Sequence, residues 1–295
     1  QLKKYWQPRY SEKFRGTDLE VDSQLNSKLD IAVKRRLMAD VPLGCFLSGG
    51  VDSGGIAASV KRSGLVSAKD FKCFTIGFRE TEFDEIDLAA KVSSSFGFTH
   101  LTQVLSANDS TMLDKMVRHY GEPFADSSAL PCFRLAELTR KHVTVALSGD
   151  GADELFGGYL RHSATQLATR LDKVPSFLRP TGLILALAQR LESPTRHGRM
   201  RQIRRFFSNF DEPSPRRNVN WSRCITDVVL ESLMSKPFND ATQSSDVLEP
   251  ELRAMAASDA DNSLDCALHA DLSVYLADDL LVKVDRSSMA FGLEV

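Results

Sequence analysis

The stretch LGCFLSGGVDSGG, residues 43–55, constrains the fold of this chain more than any other part of its sequence. The apolar run at 43–47 predicts a buried strand, and GIAASVKRSG at 55–64 predicts the start of a helix. The loop between them, SGGVDSG, carries almost no side-chain bulk. Because backbone N–H groups at the start of a helix bind anions, this loop predicts an anion site. A plain tight turn is the alternative interpretation.

Asp52 is the unusual residue of this loop. The loop lacks the lysine that precedes the final Ser or Thr of the P-loop pattern, GxxxxGKS or GxxxxGKT. A carboxylate repels a phosphate group unless a cation lies between them, so Asp52 predicts a complex of Mg²⁺ with pyrophosphate. Gly49 and Gly50 allow the backbone to approach the anion, and Ser48 and Ser53 add hydroxyl donors.

A second glycine-rich loop follows the apolar run at 142–147. Its polar and glycine residues include Ser148, Gly149, Asp150, Asp153 and Glu154. Loops beyond the carboxyl ends of parallel strands converge on one crevice, so both loops are predicted to meet. Four carboxylates in one crevice would require a divalent cation. The alternative is that the second acidic group only caps the N-terminus of a helix.

The order of the patterns predicts the fold class. Strand-like runs at 43–47, 71–78 and 142–147 alternate with helix-like patterns at 83–96 and 110–120, the last of which ends at Gly121. Such alternation predicts an α/β fold with a doubly wound parallel sheet. Beyond about residue 160 the strand signals fade and amphipathic helical patterns take over, which predicts a mainly helical C-terminal part.

Composition excludes several classes of protein. The 37 Lys and Arg against 39 Asp and Glu give a net charge of −2, so no basic field indicates nucleic acid or a membrane surface. Five scattered cysteines without a CxxC spacing argue against zinc and disulfides and favour a reducing cytoplasm. Cys45 is predicted to lie in the core. The arginine-rich segment at 190–217 is the feature compatible with RNA binding, but the spacing of Arg201, Arg204 and Arg205 favours a solvated helical face.

Six motifs together resemble one family. They are SGGVDS at 48–53, FTIGF at 74–78, FDE at 83–85, EPFADSSALP at 122–131, LSGDGADELFGGY at 147–159 and DDLLVKVDRSSMAFGLEV at 278–295. In this order they resemble the synthetase domain of glutamine-dependent asparagine synthetases. YWQP at 5–8 resembles the linker after the glutaminase domain of that family. The glutaminase nucleophile has no counterpart here, and the RVPFLD stretch and a later lysine would fall after Val295. We therefore expect a piece truncated at both ends.

The resemblance implies the pyrophosphate-loop ATP-pyrophosphatase fold, with ATP and Mg²⁺. It divides the chain into a linker at 1–20, an ATP-binding α/β core at 21–160 and a helical part at 161–295 that contributes to the substrate pocket. The implied reaction is adenylation of a carboxylate, with aspartate the leading acceptor, and then amidation by glutamine-derived ammonia with release of AMP and pyrophosphate. The ammonia would come from a glutaminase domain absent from this chain.

The resemblance also assigns residues. The ATP-binding residues by motif match are Leu47, Ser48, Gly49, Gly50, Asp52, Ser53, Ile76, Ser148 and Gly149. The metal ligands would be Asp52 and Asp153, and the catalytic carboxylates Asp150, Asp153 and Glu154. Asp150 stands where some relatives carry a glutamate proposed to deprotonate the incoming ammonium. By the same resemblance, Lys283 and Arg286 lie in a helix segment near the substrate pocket, and a surface lysine whose stem packs on apolar residues is an equal interpretation of Lys283.

Alternatives remain open at this point. A sugar or another cell-surface precursor carboxylate is the alternative acceptor within the same class of amidotransferase. A tRNA-modifying ATP-pyrophosphatase uses the same loop, although catalytic cysteines and a basic surface would be expected for it. A non-catalytic binding module is the third class. We expect a cytoplasmic protein that binds neither nucleic acid nor membrane, and a homodimer is left open.

Overall fold

The structure is a computed structural model that describes residues 5–79, 84–105, 112–175, 199–242 and 245–295. The chain divides into two compact units. The α/β unit comprises Phe14–Ala152 and Ala277–Val295, and the helical unit comprises Gln1–Lys13 and Asp153–Leu276. Phe83 of the FDE motif and residues 190–198 of the arginine-rich segment lie outside the described residues. The functional division at residues 20 and 160 stays a prediction.

A four-stranded parallel sheet forms the centre of the α/β unit. Its strands are β1 (Leu43–Phe46), β2 (Lys72–Phe78), β3 (Thr99–Leu105) and β4 (Val145–Leu147). Its helices are α1 (Asp18–Arg36), α2 (Val51–Ser63), α3 (Ile86–Phe96), α4 (Leu113–Tyr120), α5 (Ala129–Arg140) and α14 (Leu281–Met289). The strand order is β3-β2-β1-β4, so the chain moves outward on one side of β1 and then returns to its other side.

Side chains of the sheet alternate between two apolar layers. Cys45 and Cys73 belong to a core cluster that also contains Val33 of α1 and Ala57 of α2. Phe74, one residue after Cys73, belongs to a second cluster with residues of α5 and with Leu293. Since successive side chains of a strand point to opposite faces, helices cover both faces of the sheet. The predicted α/β fold with a doubly wound parallel sheet is confirmed, and so is the core position of Cys45, which is fully buried.

The ends of the helices follow local sequence signals. Thr17 and Glu20 form a reciprocal capping box at the start of α1. Gly121 ends α4 with a φ of 72°, a left-handed conformation that glycine adopts at little cost, as predicted. Only some apolar residues of α1 pack in the core, because Val33 is buried while Val21 and Leu25 stay exposed.

The helical unit contains short helices and no strand in the described part of the chain. They are α6 (Ala152–Phe156), which begins at the boundary, α7 (Leu160–Leu171), α8 (Arg199–Ser208), α9 (Ser214–Ser222), α10 (Asp227–Leu233), α11 (Lys236–Thr242), α12 (Glu249–Ala256) and α13 (Ser263–Ala270). A π-helical segment, Asp271–Leu280, follows α13 and leads into α14. The predicted helical character of this part is confirmed. Among the described residues, no helix has the length and apolarity needed to cross a membrane.

The arginines of the helical unit differ in burial. Arg217 is 2% exposed and donates to both carboxylate oxygens of Asp172, at 3.1 and 2.7 Å. It also donates to the carbonyl of Phe210 at 2.9 Å. Arg204 and Arg205 are exposed on α8, as the sequence predicted, whereas Arg201 of the same predicted face is half-buried. Arg217, at the end of the arginine-rich segment, is a buried structural residue.

Candidate active site

The loop after β1 begins where the strand gives way to Leu47 and Ser48. Gly49 has a φ of +79°, in the left-handed region that favours glycine. A Cβ at Gly49 would also lie 2.6 Å from the Cβ of Leu88 and 2.8 Å from the backbone nitrogen of Ala89. Gly50 is the N-cap of α2 and has extended backbone angles. The sequence SGG therefore lets the chain turn against α3 and start α2 with its first N–H groups at the sheet edge.

The two serines of this loop bond to each other. Ser53 Oγ accepts from the backbone N–H of Ser48 at 3.1 Å and lies 2.9 Å from Ser48 Oγ. Ser48 Oγ in turn accepts from the N–H of Gly50 at 3.3 Å. Ser53 is buried. These bonds fix the loop in one conformation and leave the backbone N–H groups of the first turn of α2 as its principal anion donors.

The loop after β4 touches the loop after β1. A Cβ at Gly149 would lie 3.0 Å from the backbone nitrogen of Ser53 and 3.2 Å from the carbonyl carbon of Asp52. Only a glycine fits at this distance without movement of the backbone. β1 and β4 are neighbours at the point where the strand order reverses, which is where ligands bind in open α/β sheets. The predicted convergence of the two loops is thus observed within the α/β unit.

Asp150 turns back onto its own loop. Its carboxylate accepts from the hydroxyl of Ser148, and its backbone N–H donates to Ser148 Oγ at 3.2 Å. Asp150 is exposed. The carboxylate is therefore held at the mouth of the crevice by one neutral donor, and it remains accessible to an incoming ligand.

The two hydrophobic members of the predicted ATP site occupy different environments. Leu47 is 2% exposed and lies in the core cluster, with its N–H bonded to the carbonyl of Phe74 at 2.9 Å. Ile76 is partly exposed in the second half of β2. The side chain of Ile76 is thus the one of the pair that a ligand at this edge can reach, while Leu47 supports the loop from beneath.

Asp153 and Glu154 belong to the helical unit and sit on α6. The carbonyl of Asp153 accepts from the N–H groups of Gly157 and Gly158, at 2.9 and 3.1 Å. Gly158 also makes room for the Asp153 carboxylate, since a Cβ there would lie 1.8 Å from its Oδ1. This packing fixes the orientation of Asp153. Its role as a metal ligand stays a prediction.

Glu154 is fully buried, which the sequence did not indicate. Its Oε1 accepts a short hydrogen bond from the hydroxyl of Tyr159, while its Oε2 has no hydrogen-bond partner among the described residues. Burial, and then the neighbouring Glu154, raise the pKa of Tyr159 far above its usual range. Tyr159 is therefore a permanent donor to this carboxylate.

The described residues contain no group of three or more His, Cys, Asp or Glu arranged to hold a metal ion. Mg²⁺ commonly binds through one or two carboxylates together with substrate phosphates and water. An aspartate in the first turn of a helix beside a glycine-rich loop fits that mode of binding. The donor set therefore suits a Mg²⁺ ion carried by phosphates rather than an ion held by protein ligands alone.

A buried lysine is the main feature that the sequence interpretation missed. Lys283 on α14 is 8% exposed, and its ammonium donates to Asp126 Oδ2 and Ser128 Oγ, each at 2.7 Å. Of the two interpretations of Lys283, the surface lysine with a packed stem is wrong, because the charged end itself is paired inside the α/β unit. Its partners lie in the EPFADSSALP motif, which was the available signal.

The family model for asparagine synthase matches residues 24–295 of the chain. The chain belongs to the asparagine synthase family. The match includes both loops at the strand reversal, α14 and the described helices from α6 to α13. The resemblance inferred from the six motifs is confirmed.

Individual proteins similar to this chain support this placement. A glutamine-hydrolysing asparagine synthetase of Bacillus subtilis is 28% identical over 97% of this chain and 43% of its own length. A provisionally named glutamine-hydrolysing asparagine synthetase of Mycobacterium bovis is 31% identical over 100% of this chain and 43% of its own length. A Penicillium rubens protein named amidase chyE is 31% identical over 53% of this chain and 26% of its own length. The chain thus spans less than half the length of these relatives.

Proposed function

We propose that this chain forms amides from carboxylates at the expense of ATP, as the synthetase part of a glutamine-dependent enzyme. A carboxylate oxygen of the acceptor attacks the α-phosphorus of ATP, and the bond to pyrophosphate breaks. Ammonia nitrogen then attacks the acyl carbon of the adenylate, and AMP leaves with the electron pair. Aspartate is the acceptor we propose first, because the full-length relatives carry the name asparagine synthetase.

The loop at 48–53 is the part of the chain that would hold the pyrophosphate. The first turn of α2 directs N–H groups and the positive end of the helix dipole toward an anion. The bonds between Ser48 and Ser53 fix this geometry before a ligand arrives. Preorganised donors favour the transition state because negative charge grows on the departing pyrophosphate. When bound, Mg²⁺ would add charge neutralisation, with Asp52 as its ligand from this unit.

Asp150 has a second role in the proposal. It is the exposed carboxylate of the loop that contacts Ser53 through Gly149. We propose that Asp150 accepts the proton of the incoming ammonium, since a carboxylate at the mouth of the crevice both attracts a cation and accepts a proton. Asp153 and Glu154 are proposed as its partners in catalysis, the first as a metal ligand and the second through its buried bond with Tyr159.

The remaining proposals concern the whole enzyme. The names of the relatives include glutamine hydrolysis, and this chain covers 43% of their length. We propose a glutaminase part as the source of ammonia, the ATP-pyrophosphatase type for the fold and the cytoplasm as the location. The net charge of −2 supports a small-molecule acceptor over nucleic acid.

The observation that carries the proposal is the contact between Gly149 and the backbone of Ser53 at the strand reversal. Calorimetry with ATP tests it directly. Asp52→Asn should weaken binding in the presence of Mg²⁺ more than in its absence, because the lost charge acts on the ion. Asp70→Asn, an exposed aspartate in a turn before β2, is the matched control and should change neither affinity. Equal losses with and without Mg²⁺ would remove Asp52 from the metal site.

A further inference from the structure

Lys283 has one hydrogen-bond donor left for a ligand. An ammonium carries three N–H groups. Two of them are used by Asp126 and Ser128, at 2.7 Å each, and these are the acceptors found among the described residues. The side chain of Lys283 remains 10% exposed, and that of Asp126 19% exposed. The charged end of the lysine is thus close to a surface that a small molecule can reach.

The partners of Lys283 are themselves fixed. Asp126 Oδ1 accepts from both the N–H and the hydroxyl of Ser128, at 2.8 Å each. Tyr120 anchors the helix that bears the lysine, since its hydroxyl donates to the Lys283 carbonyl at 3.1 Å and lies 2.8 Å from Ser287 Oγ. A lysine held at both its backbone and its ammonium has little freedom to rotate away, so its third donor is aimed in a fixed direction.

This ammonium lies within electrostatic range of the loop after β4. Burial lowers the pKa of Lys283, but the hydrogen bond and charge of Asp126 outweigh burial and raise it above its usual range, with a further contribution from Asp150. Burial also raises the pKa of the Cys132 thiol, where Lys283 acts against Asp150 and Asp126. The charges of Lys283, Asp150 and Asp126 therefore all act on this one thiol.

Carboxylates outnumber the lysine among these interacting groups. Asp279 lies near enough to Asp126 and Lys283 for both to act on it, and burial followed by Asp126 raises its pKa. An acceptor that carries a carboxylate would be repelled by Asp126, Asp150 and Asp279 unless a cation compensated them. Lys283 is the cation that the structure places among them.

We propose that Lys283 binds an oxygen of the acceptor carboxylate through its third N–H, and that Asp126 and Ser128 are positioning residues for it. This inference rests on the proposed function. It assigns the EPFADSSALP motif a place in acceptor recognition, separate from the ATP-binding loops. The competing role for Lys283 is purely structural, as a tie between α14 and the segment before α5.

The chain offers a matched control for that structural role. Arg286, three residues further along α14, pairs with Glu122 at 2.8 Å, and their side chains are 34% and 58% exposed. This pair ties the same helix to the same segment of chain. Arg286→Met therefore removes a tie of the same kind while leaving the ammonium of Lys283 in place.

The test measures AMP release by the whole enzyme, with L-aspartate as the acceptor probe and Mg²⁺–ATP in excess. Loss of a hydrogen bond between charged groups predicts an increase of about 10- to 100-fold in the KM for aspartate in Lys283→Met. The KM for ATP should stay at the wild-type value. Lys283→Arg keeps a charged donor and should recover part of the loss, and Arg286→Met should leave both KM values unchanged.

Two results overturn the inference while leaving the proposed function intact. One is an active Lys283→Met with the wild-type KM for aspartate. The other is equal increases of the KM for ATP and for aspartate that Arg286→Met reproduces, which shows a structural tie. A wild-type whole enzyme that binds Mg²⁺–ATP yet releases no AMP with aspartate or with other carboxylates contradicts the proposed function itself, and the inference falls with it.

Discussion

Replacing Gly149 by alanine tests the contact between the two loops. The new methyl group would lie 3.0 Å from the nitrogen of Ser53, 3.2 Å from the carbonyl carbon of Asp52 and 3.3 Å from the Cα of Ser53. These are backbone atoms, so the strain cannot be relieved by rotation of a side chain. Overpacking of this kind typically costs about 1–3 kcal/mol, and the cheapest relief is to push the loop after β1 away from β4.

The displaced loop should bind ATP less well. A shift of the first turn of α2 weakens hydrogen bonds to a charged ligand, each worth about 1.5–3 kcal/mol, so we expect a loss of about 10- to 100-fold in affinity for Mg²⁺–ATP. Calorimetry measures the affinity, and urea unfolding measures the free energy of unfolding, which should fall by about 1–3 kcal/mol.

Gly54→Ala is the matched control, because Gly54 lies in α2, the helix that Gly149→Ala should displace, and a Cβ there would have no atom within 4 Å. It should leave the ATP affinity unchanged and increase the free energy of unfolding by about 0.5–1 kcal/mol, since alanine favours the helix. If Gly149→Ala binds Mg²⁺–ATP like the wild type, the two loops do not form a single site and the reasoning from their contact is refuted.

Three further results are expected. Tyr159→Phe leaves the buried Glu154 carboxylate without its hydroxyl donor and should lower the free energy of unfolding by about 1–3 kcal/mol, measured in urea; no change would show that water replaces the bond. Arg217→Met should lower the free energy of unfolding by about 2 kcal/mol in the same assay, below the roughly 3–5 kcal/mol of a fully buried pair because Asp172 is 39% exposed; no change would show that this pair does not stabilise the fold. Burial raises the pKa of Asp126, but hydrogen bonds from its lysine and serine partners outweigh it and hold that pKa below its usual range. The stability that Asp126 contributes is therefore present above the unfolded-state pKa of about 3.9 and is lost as the pH falls through the folded-state value, so Asp126→Asn should flatten the acid limb of a stability–pH curve.

Three of the four strands were predictable because their side chains are buried or half-buried on both faces of the sheet. β1, β2 and β4 are apolar runs, and their limits differ from the prediction by one to three residues at an end. β3, THLTQVL, pairs only with β2, alternates polar and apolar residues and lies at the edge of the sheet, so no apolar run marked it. α5 was also missed, since Pro131 interrupts its pattern, although proline is tolerated in a first turn.

The glycine-rich loops were predictable from local sequence, and the partners of Lys283 were not. A strand followed by SGG predicts a tight turn, and the observed φ of +79° at Gly49 is one that glycine adopts readily. The pairing of Lys283 with Asp126 joins residues 157 positions apart. Glu294 likewise returns to β4, where its carbonyl accepts from Ala146 at 2.8 Å. Local sequence periodicity does not predict such long-range contacts, because they depend on how the whole unit packs.

The identity of the phosphorus products shows directly which phosphorus of ATP is attacked. We propose that the loop pair at the reversal of strand order binds the pyrophosphate of ATP, so that cleavage occurs at the α-phosphorus. Incubation of the whole enzyme with ATP, Mg²⁺, aspartate and ammonium, followed by ³¹P NMR, should show AMP and pyrophosphate in equal amounts, with both dependent on aspartate and both reduced in Gly149→Ala. Formation of ADP and orthophosphate instead would contradict the account.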